Sequence, residues 1–586
     1  MALSNYNQTL QPPLKTLPSS ALRAVFKEGY SSKDFACDIL SGIVVGIVAL
    51  PLAMALAIGV GVPPQYGLYT AIIAGGIVPL LGGSRFQITG PTAAFIVILA
   101  PIYSNFGLGG LLFSGLLAGV ILVTIGVARL GKFIQFIPHS VTTGFTAGIG
   151  TVIAFYQIKD FLGLQIEKSP NSFIDKLKMT WAAFPTFQIQ EFGTGLGTLI
   201  LLLLIPKITK KIPAPLIALS LAGIGIALLR YFDPGLEVAT IGSRFHTVIF
   251  GKEFAGIPQI LPQFATPWSL VGVGGRSIEL SFETIRILFS SAFAVAVLGA
   301  IESLLSAMIA DGMAGTKHDP DSELIAIGIG NILCPFFGGI PATGAIARTA
   351  TNIRYGGKSP LSGFFHALFI LVSILVAAPL LSYLPMASLA ALLLIVAWNM
   401  SDVKHFNHIL QVAPKGEIFI LLTCYFLTVI FDMVTSVFVG VTLASFIFMQ
   451  RMASISRVQL IADDHPSLNI KLPSGVMLYE VAGPLFFAAA ETAMGTLRRL
   501  AGQTKAIIFD MRGVPIMDET GLVAFENAVI RLRKQGIFVL VSELQKQPHD
   551  LFRKSFDKSS MSSDSHPIIC ADIKRALMKI QELGLS

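Results

Sequence analysis

The sequence predicts an α-helical polytopic membrane protein of about fourteen spans, followed by a small soluble α/β domain. Three observations carry this expectation. The 586 residues are 53% hydrophobic and only 13% charged, and a mean hydropathy of +0.73 lies far above that of a soluble globular chain. Apolar runs of about 20 residues, the length of helix that crosses a hydrocarbon core, recur between Asp34 and Gln450. Beyond Arg457 strand-like and helix-like segments alternate instead.

Residues 1–33 form a polar arm carrying Lys15, Arg23, Lys27 and Lys33, without the apolar stretch of a cleavable signal peptide. Such a basic arm reads as cytoplasmic. Residues 34–451 hold the candidate spans. Threaded from a cytoplasmic start, these place Arg129, Lys132, the Lys207/Lys210/Lys211 cluster, Lys317, Arg354, Lys358, Lys404, Lys415 and Arg451 on one side. Two longer loops, 158–192 and 232–283, fall on the other. Residues 452–475 read as a linker and 476–586 as a cytoplasmic domain built from VMLYEVAG, KAIIFDMRG, the helical DETGLVAFENAVIRLRKQG and IFVLVSEL. The Ser-rich second half of QKQPHDLFRKSFDKSSMSSDSH reads as mobile.

Several classes drop out. Cys37, Cys334, Cys424 and Cys570 show neither disulfide-framework nor zinc spacing. The net charge of +8 is explained by basic loops rather than by a nucleic-acid partner. His405 and His408 stand three apart in a basic loop without further ligands nearby. No catalytic constellation, metal or cofactor is expected.

The third and tenth spans, near 90–105 and 341–353, are short and follow Gly-rich approaches, GGSRFQITGPTAAF and FFGGIPATGAIARTATN. Interrupted segments at matching places in two halves point to a transporter with its site at the bilayer midplane. Helices starting there, expected at Pro91 and Pro341, leave their first N–H groups without intrahelical acceptors and present partial positive charge, so they favour an anion. Small residues at Thr92, Ala93, Ala94, Gly344, Ala345 and Ala347, with Ile346, leave room for a ligand near the backbone. Arg348 adds a guanidinium that cannot lose its charge and reads as part of the anion-attracting field. Glu302, mid-span in FAVAVLGAIESLLSAMIA, is the candidate coupling group that takes and releases a proton, with Ser306 one turn along.

Across nearly its whole length the chain resembles the sulfate permease, or solute carrier 26, anion transporters. The resemblance is carried in order by ALPLAMALAIGVGVPPQYGLYTA, GGSRFQITGPTAAF, LGAIESLLSA, PATGAIARTATN and DMRGVPIMDETGL. It is finest with the family's bacterial C4-dicarboxylate branch, through QIKDFLGLQ, VATIGSRFH, DGMAGTKH, VAWNMS and GPLFFAAAE. It implies a fold of fourteen spans as seven plus seven inverted repeats, a core domain moving against a gate domain, a homodimer in a bacterial inner membrane, and a C-terminal STAS domain for which docking of a cytoplasmic protein is an open role. It further implies substrate between spans 1, 3, 8 and 10, lined by Leu56, Thr92, Ala93, Ala94, Glu302, Gly344, Ala345, Ile346, Ala347 and Arg348. Two positions depart from the pattern. Ala347 stands where many relatives carry Ser, and Glu519 follows Asp518 where phosphorylated STAS domains carry Ser.

The leading expectation is therefore proton-coupled symport of a dicarboxylate such as succinate, fumarate or aspartate. A sulfate or bicarbonate carrier, with sodium as the alternative coupling ion, shares the same helix termini. An anion sensor signalling through the STAS domain is the reading from another class.

Overall fold

The structure, a computed structural model, describes residues 18–166, 173–209, 212–233, 237–249, 252–270, 281–455, 457–461, 472–486, 504–556 and 566–585, with isolated positions between them. Residues 1–17 of the arm, Lys210 and Lys211, and the Ser-rich 557–565 lie outside the described residues. The chain divides into two units, 1–441 and 442–586.

After a short helix α1 (Ser20–Glu28), α2 (Ser32–Val60) opens on a capping box in which Ser31 and Asp34 each bind the other's backbone N–H. It stops at Gly61, whose φ of 101° suits glycine. α3 (Pro64–Leu81) has proline at its first position, where no N–H is needed. The chain then runs extended through β1 (Thr89–Gly90) into α4 (Ala93–Val127). α4 is two spans merged across Gly107, where φ is 68°. α5 (His139–Phe161), α6 (Phe173–Ala182), α7 (Ile189–Ile208), α8 (Ala214–Phe232), α9 (Ile241–Arg244) and the β2–β3 hairpin (His246–Ile249, Lys252–Ala255) complete the first half.

The second half repeats the pattern: a long α10 (Phe282–Ala314), a short α11 (Pro320–Leu333), extended β4 (Thr343–Gly344) and a half-helix α12 (Ile346–Arg354). It continues with α13 (Leu361–Leu381), α14 (Met386–Ser401), α15 (Val403–Val412), α16 (Lys415–Ile430) and α17 (Met433–Ile455). Among the described residues nine helices have the length and hydropathy of a membrane span. α4 counts twice, and the shorter α3, α11, α12 and α16 bring the spans to fourteen.

The spans sort into two bundles. α2, α3 and α4 pack with α10–α13, while α5 packs with α7, α14 and α16. Packing in lipid relies on close backbone approach, so small residues mark the contacts. Gly115 and Gly119 form a G-x-x-x-G face on α4, and Gly119 meets Gly328 of α11 so closely that a Cβ on either would lie 2.7 Å from the other's carbonyl oxygen.

The second unit holds a five-stranded sheet in the order β5-β6-β7-β8-β9, with β5 antiparallel to β6 and the rest parallel. Its strands are β5 (Arg457–Ile461), β6 (Val476–Ala482), β7 (Ala506–Gly513), β8 (Phe538–Ser542) and β9 (Ile568–Cys570). β7 alternates as a buried strand must: Ile507, Phe509 and Met511 pack on one face with Phe525 and Phe552, whereas Ala506 and Ile508 pack on the other with Ile573 and Ile580. The helices covering these faces are α18 (Glu519–Lys534), α19 (Lys546–Phe556) and α20 (Ile573–Glu582). One expectation changes. The 452–475 stretch is not linker throughout, because RVQLI pairs along β6 as the outermost strand of the sheet.

Candidate anion site

The two half-helices meet through their approaches. β1 and β4 pair antiparallel, Thr89 opposite Gly344 and Gly90 opposite Thr343, and Ala345 N–H donates to the Ile88 carbonyl at 2.8 Å. Two strands of two residues each satisfy backbone groups that lipid could not, which is why irregular chain is tolerated at this depth. The expected helix starts shift accordingly. The first helical residues are Ala93 and Ile346, not Pro91 and Pro341. The repeated signal is thus Thr-Gly, aligning Thr89-Gly90-Pro91-Thr92 with Thr343-Gly344-Ala345-Ile346. Pro341 lies within the extended stretch, and the next residue, Ala342, is clamped by Asn331, which accepts its N–H at 2.8 Å and donates to its carbonyl at 2.9 Å.

At the termini, the N–H groups of Ala93, Ala94, Ile346 and Ala347 have no acceptor recorded among the described residues. Gly344 N–H is already used, donating to Ser303 Oγ at 3.1 Å. Leu56, Ala93, Ala94 and Ala345 are buried within the first bundle, whereas Ile346 and Ala347 are exposed. The start of α12 is therefore the accessible one of the two termini.

Glu302, 9% exposed, accepts from Thr92 Oγ1 at 2.7 Å and from Thr343 Oγ1 at 3.2 Å. A single carboxylate oxygen thus gathers one hydroxyl from the residue before each half-helix or its strand. Ser306, expected to assist Glu302, donates instead to Thr349 Oγ1 at 3.2 Å, and Thr349 also accepts Ile88 N–H at 3.0 Å. These two bonds tie α10 to α12 and α12 to the approach to β1.

Arg348 is 2% exposed and donates through Nη2 to the Pro91 carbonyl. Its Nε and Nη1 have no hydrogen-bond partner among the described residues. A Cβ on Gly90 would lie 2.5 Å from Nη1, so only glycine lets the guanidinium lie against β1. A buried cation with unused donors behind two open helix termini makes the region strongly anion-seeking.

Residues that sequence reasoning passed over fix this arrangement. Glu323 of α11, 1% exposed, accepts Gly83 N–H at 2.8 Å, Ser84 N–H at 2.9 Å and Gln87 Nε2 at 2.8 Å, holding the approach to β1. Asn352 donates to the Phe86 carbonyl at 2.9 Å and accepts Ser41 Oγ at 2.7 Å. For Glu323 the available signal was an acidic residue at the head of the apolar run LIAIGIG; Asn352, in the polar α12, carried none. His405, noted for its spacing to His408, faces His139, their Nε2 atoms 2.6 Å apart.

Broken helices, a strand pair and a buried arginine define a multi-pass anion carrier of the inverted-repeat type. The chain belongs to the sulfate permease family, whose model matches residues 35–424, and a STAS domain model matches residues 467–562. It is 39% identical to the putative sulfate transporter YvdB of Bacillus subtilis over 90% of this chain and 95% of the relative. It is 30% identical to the bicarbonate transporter BicA of a Picosynechococcus species over 84% of this chain and 86% of that one. Among solved structures, the transmembrane domain of a cyanobacterial BicA matches with a TM-score of 0.60 at 26% identity, covering 70% of this chain and 98% of the other. The murine Slc26a9 structure shares the fold, with a TM-score of 0.81 at 18% identity over 99% and 97%. The chain is an anion transporter of this family and not an enzyme.

Proposed function

We propose that the protein is a proton-coupled secondary transporter of C4-dicarboxylates, succinate, fumarate and aspartate among them. It works by alternating access as a homodimer in a bacterial inner membrane, with its STAS domain and N-terminus cytoplasmic. The observation that carries the anion site is the joining of two half-helix termini by β1 and β4 with the Arg348 guanidinium behind them. Leu56, Thr92, Ala93, Ala94, Gly344, Ala345, Ile346, Ala347 and Arg348 form the binding region. Glu302 couples transport to protons, because its Thr92 and Thr343 partners tie its charge state to both half-helices at once. Support for a dicarboxylate comes from the finer sequence segments and from Ala347, which removes a hydroxyl donor beside the site.

The names of two relatives favour a second reading, transport of sulfate or bicarbonate; sodium is its alternative coupling ion. Helix termini hold either kind of oxyanion. Competition by sulfate, bicarbonate, succinate, fumarate and aspartate against labelled succinate uptake in proteoliposomes separates them. Inhibition by the dicarboxylates alone supports the first reading; failure of succinate uptake with sulfate or bicarbonate uptake present overturns it.

A further inference from the structure

A cavity of about 250 Å³ lies away from the half-helix termini, between the two bundles. The first bundle contributes the end of α2 at Gly61 and the α4 residues around Tyr103; the other side comes from Tyr156, Lys159 and Asp160 of α5 and Lys176 of α6. Pro101, also in its wall, is eight residues beyond the start of α4, about 12 Å along the helix axis from the anion site. The cavity opens on the face where α2 and α5 end, opposite the face where α2 begins.

Lys176 is the unusual group here. Its Nζ donates to Tyr156 Oη at 2.8 Å and sits 4.0 Å from the centroid of that ring. Asp160 is engaged by Lys159 at 3.9 Å and Arg244 at 3.5 Å, and among the described residues Lys176 has no carboxylate within ion-pair distance. An ammonium has three donors, and the tyrosine oxygen takes one. Accepting that bond leaves the Tyr156 O–H free to donate. Burial, and to a lesser extent Lys159, lowers the Lys176 pKa to about 8, so the ammonium is held where water does not fully solvate it. A half-desolvated cation without a counter-ion, beside a free hydroxyl, is complementary to a small anion. The volume falls below the roughly 300–1,000 Å³ of pockets for drug-sized ligands and suits a small one.

We propose that this cavity is an entry site at the outer mouth, where the Lys176 ammonium and the Tyr156 hydroxyl capture a small carboxylate or oxyanion before it reaches the half-helix termini. The inference rests on the anion-carrier reading and on the outward orientation of this face. Both bundles line the site, so their relative movement during transport would open or close it.

The test uses the full chain reconstituted in proteoliposomes, with whichever of succinate, sulfate or bicarbonate the wild type carries. Lys176→Met is expected to raise KM for uptake about tenfold while the maximal rate is kept, and Lys176→Arg to restore most of the loss. Tyr156→Phe raises KM less. An independent readout is Thr180→Cys, at the cavity wall, labelled by a membrane-impermeant maleimide and located by mass spectrometry. Added anion should slow labelling when Lys176 is present and not in the Lys176→Met background. An unchanged KM, or a lowered maximal rate with KM kept, overturns the proposal and leaves Lys176 as a strut between α6 and α5. A wild type that carries none of the three refutes the carrier reading instead; anion protection of Thr180→Cys then judges the cavity alone.

Discussion

Arg348, in the first turn of one half-helix, donates to the carbonyl of Pro91, just ahead of the other. The bond joins residues 257 apart in the chain and places a permanent cation behind both termini. Arg348→Lys keeps the charge but loses the fork that lets one donor hold Pro91 while others remain available. Uptake should fall at least about tenfold, equivalent to about 1.4 kcal/mol and comparable with one charged hydrogen bond. Uptake assays normalised to folded protein check this; wild-type rates for Arg348→Lys would show that charge alone suffices.

Glu302→Gln retains a partner for Thr92 and Thr343 but cannot gain or lose a proton. Its uptake should become independent of an imposed inward proton gradient while exchange of internal for external anion continues. Persisting gradient dependence would assign coupling to another group.

Glu323→Ala removes the acceptor of three donors, Gly83 N–H, Ser84 N–H and Gln87 Nε2. Each buried donor left unpaired costs about 1–3 kcal/mol. The purified protein should lose about 3 kcal/mol or more, read as a lowered unfolding midpoint in detergent, and transport should be lost with it. A midpoint within error of wild type would show that this approach to β1 is held by other contacts.

Gly119→Val forces a side chain into the crossing of α4 and α11, where a Cβ already meets the Gly328 carbonyl oxygen at 2.7 Å. Overpacking of this kind costs about 1–3 kcal/mol. Gly312→Ala on α10, with nothing within 4 Å of the added carbon, should be neutral or slightly stabilising. Equal effects of the two substitutions would contradict the close crossing.

The pH dependence of anion capture follows from Lys176. Its pKa is lowered to about 8, so the cavity carries this charge below pH 8 and loses it as pH rises. At pH 9 only about a tenth of Lys176 stays protonated, and KM should rise accordingly between pH 7 and 9. Lys159, Asp160, Tyr103 and Tyr156 face the same cavity, and Lys176→Arg is the control for them. A pH profile of KM that Lys176→Arg leaves unchanged would remove Lys176 from the cause.

The sequence by itself determined the membrane character, the paired interruptions, the order of spans and the three central strands of the soluble domain. Each of these depends on local hydropathy, on Gly and Pro, or on a period of two, which neighbours in the chain reveal. Glu302 and Arg348 were legible for the same reason, since charge inside an apolar segment is conspicuous. Tertiary structure alone decided where the half-helices start. The antiparallel pairing of Thr89–Gly90 with Thr343–Gly344 and the grip of Asn331 on Ala342 extend the chain past Pro341. It also decided that Ser306 bonds Thr349 of α12, that Glu323 holds the approach to β1, and that Lys176 shares a cavity with Tyr156. Those relationships are hydrogen bonds and packing between residues tens to hundreds of positions apart, and no local pattern of side chains encodes which distant partner a buried polar group will find.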